Sequence, residues 1–281
     1  MEFKGKTAVV TGSSSGIGRA AATALAREGA NIVLASRNVA NLEAVKKEIE
    51  SLGQRAVAIP CDVTKNESVA AMKDKAIETF GNIDILINNA AVGVRGLIED
   101  TSLEDWEYII NTNLMGYIRN ITEFLPHFLN RGSGYIVNVS SIQALVYGSD
   151  PLNIAYVTTK AGIIGLTDGI SGYLRPKGIT VSCLIPGGVR TEIQHNSRYL
   201  GNEEQIRKMQ ADEERMLKSP MFLSAAQCAA GLLEGMKRED YMILVPANMT
   251  EMLLPQGRDI AKLNAWAANP PPPRAPRPMQ P

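Results

Sequence analysis

Short apolar, β-branched runs alternate along the chain with longer segments whose apolar residues recur at helical spacing. The runs are "TAVVTG" at 7–12, "NIVLAS" at 31–36, "RAVAIP" at 55–60, "IDILINN" at 83–89, "GYIVNVS" at 134–140, "ITVSCLI" at 179–185 and "YMILVP" at 241–246. Such runs read as strands and the segments between them as helices. Strands apolar at nearly every position are buried on both faces, which calls for a parallel sheet covered by helices on either side. Right-handed crossovers then predict an α/β, single-domain, Rossmann-like doubly wound sheet of about seven strands.

Two segments break the rhythm. Residues 190–222 are a polar, charged insertion after the sixth strand, at the edge where strands end and ligands bind, and are expected to form a loop over the substrate. Residues 268–281, "ANPPPPRAPRPMQP", are too rich in proline to pack, so the folded unit is expected to span 1–267 with a disordered tail beyond it.

The first strand runs directly into "TGSSSGIGRA", which opens a helix. Gly12, Gly16 and Gly18 suit a turn in which backbone N–H groups approach a pyrophosphate, although the GxxxGxG spacing departs from the usual dinucleotide fingerprint. The second strand ends in Ser36 and Arg37, with no acid before Glu43. A carboxylate there would hold a ribose 2′-OH and an arginine a 2′-phosphate, so NADP(H) is expected over NAD(H).

Tyr156 and Lys160 lie four apart in "AYVTTK", on one face of a predicted helix. An ammonium beside a phenol favours the phenolate and should lower the tyrosine pKa, fitting the pair for proton transfer. YxxxK alone is a weak pattern, but Ser141 ends the fifth strand in "VNVSS" and Asn113 lies in "NTNLMG" on a helix before it.

Taken together, these motifs resemble the classical short-chain dehydrogenase/reductase family over roughly residues 5–246: "TGSSSGIG" with Thr11, "CDV" with Asp62, "NNAA" at 88–91, Asn113, Ser141, Tyr156, Lys160 and "PGGVRT" at 186–191. The resemblance implies that Tyr156 is the general acid/base, that Ser141 polarises the substrate oxygen, and that Lys160 binds the nicotinamide ribose. It also implies that Asn113 holds a relay water. By the same resemblance the cofactor meets Thr11, Gly12, Ser14, Ser15, Gly16, Ile17, Gly18, Ser36, Arg37, Asp62, Val63, Asn89, Ala90, Pro186, Gly187, Val189 and Thr191, together with Tyr156 and Lys160. A homodimer or homotetramer built on the helices of Asn113 and Tyr156 is implied as well. Three departures stand out: Ala91 replaces a glycine of the usual "NNAG", the loop from Ser141 to Tyr156 is long, and "VPANMTEMLLPQ" replaces the VDGG-like ending of many acyl-carrier reductases. The last argues against fatty-acid synthesis.

Composition narrows the partners. Lys+Arg 29 balances Asp+Glu 29 with no basic patch among aromatics, which points away from nucleic acid and membrane and toward a small-molecule alcohol or ketone. Cys61, Cys183 and Cys228 form no CxxC pair, and His127 and His195 have no ligand partners at metal spacing, so no metal site is expected. With reduced thiols, no apolar leader and no long apolar span, the expected location is cytoplasmic. Leu145, Val146, Tyr147 and Leu152 surround the long loop, so an apolar pocket for a hydrophobic or cyclic substrate is expected. The expected activity is NADP-dependent interconversion of a secondary alcohol and a ketone. Its rivals are a dinucleotide-sensing regulator without turnover and an epimerase or lyase using the same tyrosine.

Overall fold

The computed structural model describes residues 1–146, 150–253 and 259–268, so the proline-rich tail expected beyond 267 lies almost wholly outside the described residues. The first three strands, β1 (Thr7–Thr11), β2 (Asn31–Ser36) and β3 (Ala56–Pro60), alternate with α1 (Gly16–Arg27), α2 (Val39–Ser51) and α3 (Asn66–Phe80). Beyond β4 (Ile85–Asn88) come a short β5 (Gly93–Arg95), α4 (Leu103–Ile110) and α5 (Gly116–Arg131), then β6 (Gly134–Val139), α6 (Ile154–Leu174) and β7 (Ile179–Pro186). The inserted segment holds β8 (Val189–Arg190), β9 (Ser197–Tyr199), α7 (Glu203–Leu217) and β10 (Leu223–Ser224). The chain then forms α8 (Ala225–Arg238), β11 (Met242–Val245), α9 (Met249–Leu253) and α10 (Ile260–Ala268).

Seven strands form one sheet in the order β11-β7-β6-β4-β1-β2-β3, every pair parallel. Every expected strand is present, and the side-chain alternation within β1 shows why both faces need helices. Ala8 and Val10 pack with α1, α2 and α8, through Leu25, Val45 and Leu232, while Val9 packs with α3 and α5, through Met72 and Phe124. Order reverses between β1 and β4, so the crevice where ligands bind opens at the carboxyl ends of these two strands.

The helices are started by side chains that take up orphan N–H groups. Asn38 accepts from Asn41 N at 3.1 Å ahead of α2, and Ser102, Asn202 and Ser224 form reciprocal capping boxes at α4, α7 and α8. α1, like α3 and α6, has no such cap: Ser15 at its N-cap makes no side-chain bond.

Between α4 and α5 the residues Asn111–Met115 form a π-helical turn. Helical spacing in the sequence puts Ile109, Ile110, Leu114 and Ile118 in one expected core stripe; Ile109 is fully buried, Ile110 only half-buried, and past the turn, whose extra residue shifts the helical face, Leu114 and Ile118 are half-buried as well. A chain of amides crosses the core nearby. Asn120 Nδ2 donates to Asn88 Oδ1 at 2.9 Å, Asn88 Nδ2 to Asn138 Oδ1 at 2.9 Å, and Asn138 Nδ2 to Thr167 Oγ1 at 3.1 Å, joining α5, β4, β6 and α6.

Replacing Asn138 by Leu strands the buried Nδ2 of Asn88, a loss of about 1–3 kcal/mol of stability. Urea unfolding measures it, and a change within about 0.3 kcal/mol would show that the amide chain contributes little.

Candidate active site

A cavity of about 990 Å³ runs along the carboxyl edge of the sheet, from the end of β2 past the glycine turn to the segments around Ser141 and Tyr156. At one end the turn after β1 brings backbone to backbone. A Cβ at Gly12 would stand 2.8 Å from Ala90 Cα, one at Gly18 would stand 2.4 Å from Gly12 O, and Gly12 and Gly16 have φ of +65° and +54°. Thr11 Oγ1 accepts from Asn89 N at 3.0 Å and Ala90 N at 3.2 Å, while Asn89 Nδ2 donates to Thr11 O at 2.9 Å. The uncapped start of α1 therefore presents its free N–H groups to the cavity between Ser15 and Thr191, a cradle whose chemistry fits an anionic pyrophosphate.

Farther along β2, Ser36 and the exposed Arg37 line the cavity beside Asn38 and Asn41. Ser36 Oγ accepts from Asn38 N at 3.1 Å and keeps its hydroxyl proton to donate. Arg37 makes no ion pair among the described residues. Asp62 lies across from it, and the Thr64 backbone and hydroxyl bonds, with the Arg37 and Lys65 charges, overcome burial and hold its carboxyl below the ordinary range.

At the other end, Ser141 begins a short 3-10 turn after β6, and its Oγ accepts from Gln143 N at 3.3 Å. Asp150 caps the turn at Pro151–Asn153 that leads straight into α6, and so fixes where Tyr156 emerges. Lys160, one turn on, is 1 % exposed; its Nζ donates to Val139 O at 2.8 Å and lies 5.5 Å from the Tyr156 ring centroid. Burial lowers Lys160 to about 7. Burial likewise pushes Tyr156 up to about 12, partly offset by a hydrogen bond with Ser141. This corrects the expected lowering of the tyrosine: an enclosed phenol pays more for losing water than its neighbours return.

The cavity gathers Ser141, Tyr156, Lys160, Gly12, Ser14, Ser15, Gly16, Ile17, Ser36, Arg37, Asp62, Val63, Asn89, Ala90, Pro186, Gly187, Val189 and Thr191. Three expected residues stand behind it. Thr11 braces the "NNAA" segment, and Gly18 lets α1 pack on the turn. Asn113 sits in the π-helical turn, where its Oδ1 accepts from Val92 N at 2.8 Å and its Nδ2 donates to Val92 O at 2.9 Å and Thr159 Oγ1 at 3.2 Å. Both of its amide protons are thereby taken up. Ala91 is no obstacle: Glu239 is the only non-glycine with positive φ among the described residues, so position 91 needs no glycine.

The substrate wall differs from expectation. Leu145 is 2 % exposed and packs, with Val146 against it, into a core cluster with Cys183 and Ile185; Tyr147 lies outside the described residues. Leu152 does line the cavity, but beside Arg95, Gln143, Asp150, Asn153, Gln194 and His195. The insertion covers this end with Met209, Met216 and Phe222. Sequence reasoning missed the polar group because β5 meets β9 across a hundred residues, pairing Arg95 with Tyr199, and no local pattern records that contact. Only the Asp150-Pro151 cap carries a local signal.

The sequence model of the short chain dehydrogenase family matches residues 6–199. An oxidoreductase of Staphylococcus haemolyticus is 33% identical over 203 residues, 72% of this chain and 86% of its own length. A 3-oxoacyl-[acyl-carrier-protein] reductase of Staphylococcus epidermidis is 37% identical over 191 residues, 67% of this chain and 77% of its own. Among solved structures, a short chain dehydrogenase/reductase from Burkholderia phymatum in complex with NAD superposes with a TM-score of 0.84 at 27% identity, covering 98% of this chain and 99% of that one. A short-chain dehydrogenase from Sphingobium yanoikuyae in complex with NADPH gives 0.75 at 25% identity, covering 97% and 99%. The neighbours bind either dinucleotide, so they support a nicotinamide cofactor without choosing between the two.

Lys160 also writes itself into stability. Its folded value of about 7 lies below the ordinary 10.5, so between these the unfolded chain binds the extra proton and stability rises with pH. Between pH 7 and 8.5 the urea midpoint of the wild-type protein should climb, and Lys160→Met should flatten the climb; parallel slopes would refute the assignment.

Proposed function

We propose, from the premise that this chain belongs to the short-chain dehydrogenase/reductase family, that it is an NADP(H)-dependent oxidoreductase interconverting a secondary alcohol and a ketone. The observation that carries this reading is that one cavity joins the uncapped glycine cradle to the Ser141, Tyr156 and Lys160 group. A nicotinamide dinucleotide held on that cradle supplies or accepts the hydride. Tyr156 gives its hydroxyl proton to the carbonyl oxygen as the carbonyl carbon is reduced, and takes it back in the oxidative direction. Ser141 donates a hydrogen bond to the same oxygen, where negative charge gathers. Lys160, cationic once a partner offsets its burial, holds the ribose and draws the raised tyrosine down toward working pH.

The preference for NADP(H) rests on Ser36 and Arg37, which offer a 2′-phosphate a hydroxyl and an unpaired guanidinium beside the start of α2. Asp62 reads the adenine side, and the segment 186–191 holds the nicotinamide side. The regulator and epimerase or lyase readings gain nothing from this arrangement. A homodimer or homotetramer on α5 and α6 belongs to the same proposal, as does a role for 190–222 as substrate cover. No helix among the described residues is long and apolar enough to cross a membrane.

Tyr156→Phe should lower kcat at least a hundredfold while leaving NADPH affinity within about twofold, read by cofactor absorbance and fluorescence. Full activity in that variant would remove the acid/base role. Arg37→Asp should turn the preference from NADP(H) to NAD(H) by at least tenfold in kcat/KM, and an unchanged ratio would sink the cofactor reading.

A further inference from the structure

The substrate end of the cavity contains two buried polar atoms with opposite needs. Arg95 Nε, a donor only, and Gln194 Oε1, an acceptor, have no hydrogen-bond partner among the described residues. Both residues line the cavity, on segments packed against each other: Arg95 ends β5, and Gln194 lies in the turn Ile193–Asn196 just before β9. The Arg95 side chain is 11% exposed, and its one hydrogen bond among the described residues is from Nη2 to Asp150 Oδ2 at 3.2 Å. An enclosed guanidinium so thinly bonded, and an unpaired amide oxygen on the wall of the same cavity, are costly until something supplies what each lacks.

The surrounding charges decide what that is. Asp150 balances Arg95, while Asp212 and Glu213 line the same cavity, the former 3.5 Å from Arg215 and the latter accepting from the Tyr199 hydroxyl. Glu192 lines it as well. A substrate carboxylate or phosphate arriving at Arg95 would meet a guanidinium already balanced by Asp150 and a cavity that also carries Glu192, Asp212 and Glu213. A hydroxyl meets no such repulsion, and it can accept from Nε and donate to Oε1 at once.

We infer that the substrate carries a second oxygen, a neutral hydroxyl near the reacting carbon, held between Arg95 and Gln194, and is therefore a hydroxyketone or diol. This rests on the oxidoreductase reading above and adds a polar anchor to the apolar wall of Leu152, Met209, Met216 and Phe222. A site built for a hydroxyl discriminates strongly against the analogue without it, because its own polar groups then stay unpaired.

The test uses the full-length protein saturated with NADPH, a reduced cofactor with which alcohols cannot react. Cofactor fluorescence then reports the equilibrium binding of cyclohexane-1,2-diol against cyclohexanol and of butane-2,3-diol against butan-2-ol. At least one diol should bind tenfold or more tighter than its mono-ol. Gln194→Met, and separately Arg95→Met, should reduce that preference below threefold without weakening NADPH. Since loss of Arg95 also frees Asp150, Gln194→Met carries the conclusion if the other variant does not fold. Equal binding of diol and mono-ol by the wild type, or a preference untouched in Gln194→Met, overturns the inference. Turnover is scored separately with cyclohexanone, 2-hydroxycyclohexanone, butanone and acetoin: no NADPH oxidation with any of them counts against the oxidoreductase reading, whatever the binding pattern.

Discussion

Thr11 and Asn89 hold together the two strand ends between which the site opens. β1 and β4 are neighbours in the sheet, but their continuations part, one into α1 and the other toward β5. The buried Thr11 hydroxyl takes the N–H groups of Asn89 and Ala90, and the Asn89 amide returns a bond to the Thr11 carbonyl. Backbone groups that would otherwise be orphaned at the switch in strand order are thereby satisfied from within. The glycine turn can then lie against Ala90 with no side chain between, and every cavity residue is placed relative to that contact.

The same economy recurs on the catalytic side. Ser140 Oγ donates to Lys160 O at 2.7 Å, the Tyr117 hydroxyl to Val139 O at 3.1 Å, and Lys160 Nζ to the same carbonyl. The end of β6 is thus bound to α5 and α6, and the amide chain through Asn88, Asn138 and Thr167 continues the tie below it. Tyr156 rides on a helix whose angle and depth are set by buried polar bonds, which have directions, more than by apolar contacts, which have none.

What could be read in the sequence follows from how local the signal was. Seven strands and the helices between them are written in hydrophobic runs and their spacing, and the glycine turn, Ser36-Arg37 and YxxxK are contiguous motifs that the fold brings to one edge. The π-helical turn at Asn111–Met115 left no such mark, which is why the expected core stripe drifted out of register past it, at Leu114 and Ile118. The polar wall was invisible for a different reason: Arg95, Asp150 and Gln194 line one cavity only because β5 pairs with β9 and the Asp150 turn docks on β5. Leu145 and Val146 misled for the converse reason, since apolar residues in a loop say that something will be buried but not against what. The fate of the tyrosine proton was legible only in part, because sequence gives the neighbour's charge and withholds the depth of burial.

The start of α1 has one more consequence. Elsewhere the helix N-termini at Asn38, Ser102, Asn202 and Ser224 carry their own caps, so those helices are complete as the chain folds. α1 is completed from outside: a bound phosphate would do for it what a serine or asparagine does for the others. The first helix, already anchored in the core through Ala21, Ala22 and Leu25, would gain a further tie at its N-terminus from such a ligand. A nicotinamide dinucleotide bound there would, by mass action, add to the stability of the folded chain as its concentration rises.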